Sequence, residues 1–416
     1  MVRRKRRNRT LAVLLLLLAA GAVGYVVGVP LFQAVVAAPT PPTGFSVPLG
    51  ERIYFRLFEL LLFAWLFIFG ASIGSFLNVV IYRTPLGFSL LGSSRCPYCR
   101  AGIRPRDNIP VFGWLMLRGR CRICRLPIST RYPLVEFTVG ILILVLGTLE
   151  VLQAGANLPP AFGQIGRAAN ISWLIHHPNW DVMLACVLHG ILLCIVLSWA
   201  LIQYDGHAVP RGYLTLAVVL VAAIPLTRPT VQAVPWISEL PTQLQEPLWL
   251  SQRLSLVVGL ATGLSIGFFL GCIERMFGRK PKRSETHYMG MHRVRERAVA
   301  LALVGIALGW QAVLSVALSA TIVSLVGPRV APRRLAQYGS SFLLYVCLGT
   351  AAQVYLWGML EGLPWWPNSQ AGVVTIAVTT VAIVLLACLA SLQDAAMYMH
   401  QHTSEQPVTS CSSGGA

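Results

Sequence analysis

The sequence predicts an all-α polytopic membrane protein of about ten membrane-spanning helices, with a small cytoplasmic zinc-knuckle loop domain. Hydrophobic residues make up 56% of its 416 residues and charged ones 12%, where soluble domains run at about 45–50% and 25%. Apolar runs of roughly 20 residues recur, each able to cross a hydrocarbon core of about 30 Å. Two Cys-x-x-Cys pairs, Cys96/Cys99 and Cys121/Cys124, stand together in one polar insertion between apolar runs. This composition excludes an ordinary soluble enzyme, a disordered chain and a secreted disulfide scaffold.

The elements follow in order. The basic start MVRRKRRNRT leads into an apolar run over 11–36. That run exceeds the about 7–15 residues of a signal-peptide core, so it reads as an uncleaved first helix. Small residues at Val35–Ala38 keep a cleavable leader as the alternative. Further apolar segments cover 57–81, 133–153, 181–203, 212–227, 254–273, 298–309, 311–326, 339–360 and 371–397. A break at Gly309-Trp310-Gln311 separates two of them, and charge supports it, because basic residues collect on cytoplasmic loops. With the break, 28 of the 33 Lys and Arg residues fall on one side, and only Arg52, Arg56, Arg167, Arg228 and Arg253 on the other. Both termini are then cytoplasmic, in the inner membrane. The tail over 398–416 is small and polar, and is expected to be disordered.

The insertion over 82–132 holds the four cysteines, with 21 residues between the two pairs. Each Cys-x-x-Cys turn points two thiolates at one ion, so Cys96, Cys99, Cys121 and Cys124 are read as ligands of a structural zinc. A disulfide pair is the alternative, disfavoured where thiols are kept reduced. A loop of this length with few aliphatics buries little core, so a metal clip is physically sensible. Its ten Arg against Asp107 are read as attraction to anionic lipid headgroups and not to nucleic acid.

The run Gly74-Ser-Phe-Leu-Asn78-Val-Val-Ile-Tyr-Arg83, then CPYC, then Arg104–Glu136 (RPRDNIPVFGWLMLRGRCRICRLPISTRYPLVE), closely resembles the N-terminal part of bacterial type IV prepilin leader peptidases. Fainter likenesses lie at Leu201–Pro210, Gly305–Gln311 and Gln337–Tyr345. The first helix (1–37) and the last (371–397) look like additions to a family body over 57–140 and 141–360. The resemblance implies a membrane aspartic peptidase that cleaves the basic leader of prepilins or pseudopilin-like proteins after a Gly, at the cytoplasmic face. It also implies N-methylation of the product with S-adenosylmethionine.

Aspartic proteolysis needs two carboxylates sharing one proton. The family pattern places the first aspartate at Gln203 and the second at Arg297, with a secondary acid at Asp205. Asp occurs only at positions 107, 181, 205 and 394. Two readings follow: Asp205 and Glu296 form a displaced catalytic dyad, or Asp205 is a turn residue before Gly206 and Glu296 a solvated charge among arginines. Among other acids, Glu136 is expected to pair with a loop arginine, Glu59 with Arg56, and Asp394 to be wet. His207 and His292 lack a convincing nucleophile, and His400 and His402 read as incidental surface residues. A catalytically inactive scaffold or chaperone for pilin-like segments is the alternative function. A solute transporter is weaker, since no internal repeat is visible.

Overall fold

The computed structural model describes residues 16–17, 19–36, 48–159, 178–232, 248–277, 286–330, 342–368 and 371–403, and side chains in most of these. The described residues are almost wholly helical, with isolated bridges only at Arg95–Gly102 and Arg120–Pro127. The helices are α1 (Val29–Val36, entered through a π turn at Gly24–Gly28), α2 (Leu49–Arg83), the short α3 (Phe112–Leu117) and α4 (Arg131–Leu146, prolonged by a π turn to Leu152). Next come α5 (Trp180–Tyr204), α6 (Arg211–Thr227), α7 (Leu248–Phe277), α8 (Thr286–Leu308), α9 (Trp310–Val330), α10 (Phe342–Glu361) and α11 (Val373–Thr403).

Among the described residues, seven helices are long and apolar enough to cross a membrane. Three of the ten expected segments are weaker. Those at 11–36 and 212–227 correspond to shorter apolar helices, Ala19–Gln33 and Arg211–Thr227, and that at 298–309 is the apolar half of α8. The expected break at Gly309 is present: α8 stops at Leu308, Gly309 takes φ 91°, and α9 starts at Trp310. Gln232 Nε2 donates to the Ile306 carbonyl at 3.1 Å, where the helix ladder is about to end. The last helix runs on to Thr403; the rest of the expected tail, and residues 1–15, lie outside the described residues.

Lipid is as apolar as leucine, so helices in a membrane associate through close backbone approach at small residues. Two helix pairs are built this way. Gly70 and Gly74 of α2 sit against Val139, Gly140 and Glu136 of α4. On α7, Gly259, Gly263, Gly267 and Gly271 recur every fourth residue and meet Gly305, Leu301, Ala298 and Val294 of α8, an antiparallel pairing. A Cβ at Gly259 would stand 2.1 Å from the Gly305 oxygen, and one at Gly263 would stand 2.3 Å from the Leu301 oxygen. Buried α5 and α8 form the centre, with Leu192, Trp199, Ile202, Leu301, Leu303 and Ile306 almost wholly enclosed.

Candidate functional site

The cysteine loop is two copies of one turn. Cys96 N donates to Ala101 O and Cys121 N to Leu126 O, both at 2.9 Å. Each turn closes through a residue with positive φ, Arg100 (56°) and Arg125 (61°). The four sulfurs all lie within 4.8 Å of one another, Cys96 to Cys124 at 3.8 Å and Cys99 to Cys121 at 4.0 Å. Four sulfurs about 2.3 Å from one tetrahedral ion stand about 3.8 Å apart, so the set fits a metal. Backbone N–H groups of Cys124 and Ile123 hold the Cys121 thiol down to about 6, which favours the thiolate a metal needs.

Asp107 fastens the loop from within, accepting from Arg122 Nε at 2.7 Å and Nη2 at 2.5 Å. That bidentate guanidinium holds its carboxyl below the usual carboxylate range. Glu136 does not take the expected arginine. Its Oε2 accepts the Val111 backbone N–H at 2.6 Å, because Val111 is folded into a γ-turn (φ 62°, ψ −54°) closed by Phe112 N to Pro110 O at 2.6 Å. A β-branched residue is strained in that conformation, and the carboxylate of α4 anchors the turn. The expected Glu59–Arg56 pair is present at 2.7 Å, joined by Tyr25 Oη, which donates to Glu59 at 2.6 Å.

A cavity of about 1210 Å³ lies between this loop and the ends of α2 and α4, with Ser75, Asn78, Tyr82, Tyr132 and Glu136 on its wall.

Beside the loop, α5 ends in a Schellman motif: His207 N donates to Ile202 O, and Gly206 N to Gln203 O. Gly206 supplies the required left-handed residue at φ 80°, so Asp-Gly does act as the turn the sequence suggests. Asp205 caps the helix and pairs with Arg131 at the start of α4. Glu296 is not a solvated charge. It is 1% exposed, its Oε1 accepts Val209 N at 2.6 Å, and its Oε2 accepts from Gln203 Nε2. Arg295 Nη2 donates to the Val209 carbonyl at 3.2 Å, so consecutive residues of α8 hold the backbone N–H and C=O of Val209, one in the peptide bond before it and one in the bond after it.

The structure therefore brings Glu296 to Gln203, and no hydrogen bond joins Glu296 to Asp205 among the described residues. Arg297, the position expected for the second aspartate, points elsewhere: it pairs with Glu274 of α7 and lies 4.2 Å over the Phe342 ring of α10. Of the three faintly matching segments, Leu201–Pro210 and Phe342 of the third lie at this end of the bundle, whereas Gly305–Gln311 lies toward the other end of α8, against Gly259 and Gln232. His207 is exposed, and His292 Nδ1 accepts from Arg295 at 3.0 Å. The side chains of Asp394, His400 and His402 lie outside the described set.

Sequence reasoning missed Gln203 as a partner, Glu274 as a counter-ion, and a buried cluster at the opposite end. There Glu150 Oε1 lies 2.7 Å from His189 Nδ1 and accepts from Asn157 Nδ2 at 3.0 Å. The only signal was acids and amides beside apolar runs, which periodicity cannot pair.

The comparisons with known proteins point to one family. Residues 68–149 match the family described as Bacterial Peptidase A24 N-terminal domain. A prepilin leader peptidase/N-methyltransferase of Klebsiella pneumoniae is 36% identical over 168 residues, 39% of this chain and 68% of that protein. One of Myxococcus xanthus is 39% identical over 138 residues, 33% of this chain and 40% of that protein. A type 4 prepilin-like proteins leader peptide-processing enzyme of Escherichia coli is 47% identical over 91 residues, 17% of this chain and 34% of that protein. No solved structure matches. With the cysteine turns inside the matched segment and a relative covered over two thirds of its length, the chain belongs to the bacterial prepilin leader peptidase/N-methyltransferase family.

Proposed function

We propose that this membrane protein cleaves the leader of prepilin or pseudopilin-like substrates, at the end of the bundle where α5, α8 and the cysteine loop meet. The observation that carries the reading is Glu296, a buried carboxylate held against the position where the resemblance expects a catalytic aspartate. That end faces the cytoplasm of the inner membrane, with both termini on the same side, by the charge asymmetry of the loops. Anionic headgroups meet its arginines.

Glu296 is the acid–base group in this reading. Asp205, the other acid of the expected dyad, acts from the rim: its pairing with Arg131 ties the end of α5 to the start of α4 and so positions the Gln203–Val209 turn. Cys96, Cys99, Cys121 and Cys124 hold a structural zinc, whose role is to fold the loop. The cavity lined by Asn78, Tyr132 and Glu136 is roomy for a drug-sized ligand. Its carboxylate and rings suit a cationic sulfonium such as S-adenosylmethionine, which supplies a methyl group for the new N-terminal amine.

The test is cleavage of a prepilin-like substrate in membranes carrying the full chain. The wild type cleaves, Glu296→Ala does not, and Asp205→Ala cleaves at a reduced rate. A wild type that binds the substrate and leaves it intact would put the scaffold reading in its place.

A further inference from the structure

Independently of the proposed cleavage, we infer that the buried cluster at the far end of the bundle binds a hard monovalent cation such as sodium, with Glu150 Oε2 and Asn157 Oδ1 as ligands. The chain is bent to build this cluster. Glu150 sits on the π turn that prolongs α4 (Gly147–Leu152), a departure from α-helix that is frequent at functional sites. Beyond the turn, Ala154 (φ 49°) and Gly155 (φ 81°) take left-handed backbone, and Gly155 N donates to Glu150 O at 2.9 Å. The chain thereby folds back and brings Asn157 to Glu150. A non-glycine residue is uncommon in that conformation. The cluster is also deep, since Glu150, His189 and Asn157 are all almost wholly enclosed.

The cluster is short of donors. Asn157 Nδ2 donates to Val354 O at 2.8 Å and to Glu150 Oε1 at 3.0 Å, which uses both N–H groups and fixes Oδ1 as the acceptor. Glu150 Oε1 also takes the contact with His189 Nδ1, at 2.7 Å. Glu150 Oε2 and Asn157 Oδ1 are buried and have no hydrogen-bond partner among the described residues. Moving the shared proton between His189 Nδ1 and Glu150 Oε1 changes nothing here, because neither arrangement brings a donor to the two orphaned oxygens. They stand on side chains linked by one hydrogen bond, and either a donor or a cation would match them. Charge favours the cation. A neutral imidazole donating through Nδ1–H leaves the carboxylate ionised in an apolar bundle, where an uncompensated charge is costly. One monovalent cation cancels that charge, and carboxylate and amide oxygens select hard ions over soft metals.

The experiment uses the purified full chain in detergent, in sodium chloride or choline chloride at equal ionic strength. Wild type should bind radioactive sodium saturably, at about one ion per chain. Its unfolding midpoint should climb by about 2 °C or more for each tenfold step in sodium beyond half-saturation, and stay level in choline. Glu150→Gln keeps the shape and removes the charge, so it should lose both the sodium binding and the sodium-dependent part of the midpoint. Asn157→Ala removes the second oxygen and should weaken sodium binding by about tenfold or more. That variant locates the site even if Glu150→Gln folds poorly. Equal midpoints in the two salts, the result an internal water in the same place would give, overturn the inference. So does a wild type without saturable sodium binding, or binding that survives unchanged in Glu150→Gln or Asn157→Ala. None of these measurements involves cleavage, so the cation site stands or falls apart from the proposed function.

Discussion

Glu296 leaves water almost completely, and two neutral donors, the Gln203 amide and the Val209 N–H, replace its hydration. Buried polar groups left unmatched cost about 1–3 kcal/mol each, so Glu296→Ala should lower stability as well as stop cleavage. Glu296→Gln is the cleaner probe: it keeps the volume and an acceptor, so thermal stability should fall less than with Ala while cleavage drops ~10²-fold or more. Asp107 gives a second residue-scale prediction. Arg122 depresses its carboxyl in the fold, so its stabilising contribution is complete above the usual carboxylate range of about 4. It is lost as pH falls through the depressed value. Asp107→Asn should therefore make the loop easier to clip by protease at neutral pH, and its difference from wild type should vanish in acid.

At the scale of elements, the two cysteine turns depend on each other, since each offers half a coordination shell. Purified protein should carry about one zinc per chain, and Cys96→Ser should release it and open the loop to proteolysis. Retention of metal by Cys96→Ser would count against the four-sulfur site. The α7–α8 pair is a second unit. Gly263 leaves no room for a methyl beside the Leu301 carbonyl, so Gly263→Val must push the helices apart by more than an ångström. Because Glu296 and Arg297 ride on α8 while Glu274 rides on α7, cleavage should fall with stability. The same substitution at Gly212, where a Cβ meets nothing within 4 Å, should leave both nearly unchanged.

Across the whole molecule, polar clusters sit at both ends of an apolar bundle. The far cluster, with Glu150 and His189 almost wholly buried, also reaches α10 through Asn157, whose Nδ2 donates to Val354 O and whose O accepts from Gly358 N, both at 2.8 Å. It fastens the end of α4 to α5 and α10 where apolar packing alone has no directional preference. Leaving one member of a buried hydrogen-bonded pair without its partner costs about 1–3 kcal/mol. His189→Leu should thus lower the unfolding midpoint clearly and leave zinc content unchanged. A wild-type midpoint in that variant would show the cluster to be dispensable.

The helical class, the Gly309 break, the tetracysteine knuckles, the Arg56–Glu59 pair and the family were legible along the chain, because each is a local property: hydropathy over a span, one residue's backbone freedom, a short spacing, a dense motif. Partnership between distant side chains was not. That Glu136 would hold a strained Val111 turn instead of an arginine, or that Glu296 would leave its flanking arginines for Gln203, depends on where α4, α5 and α8 come to lie. Only packing decided it, since a one-residue change of helix phase turns a side chain by about 100°, and chooses between Glu296 and Arg297 as the group that meets the end of α5.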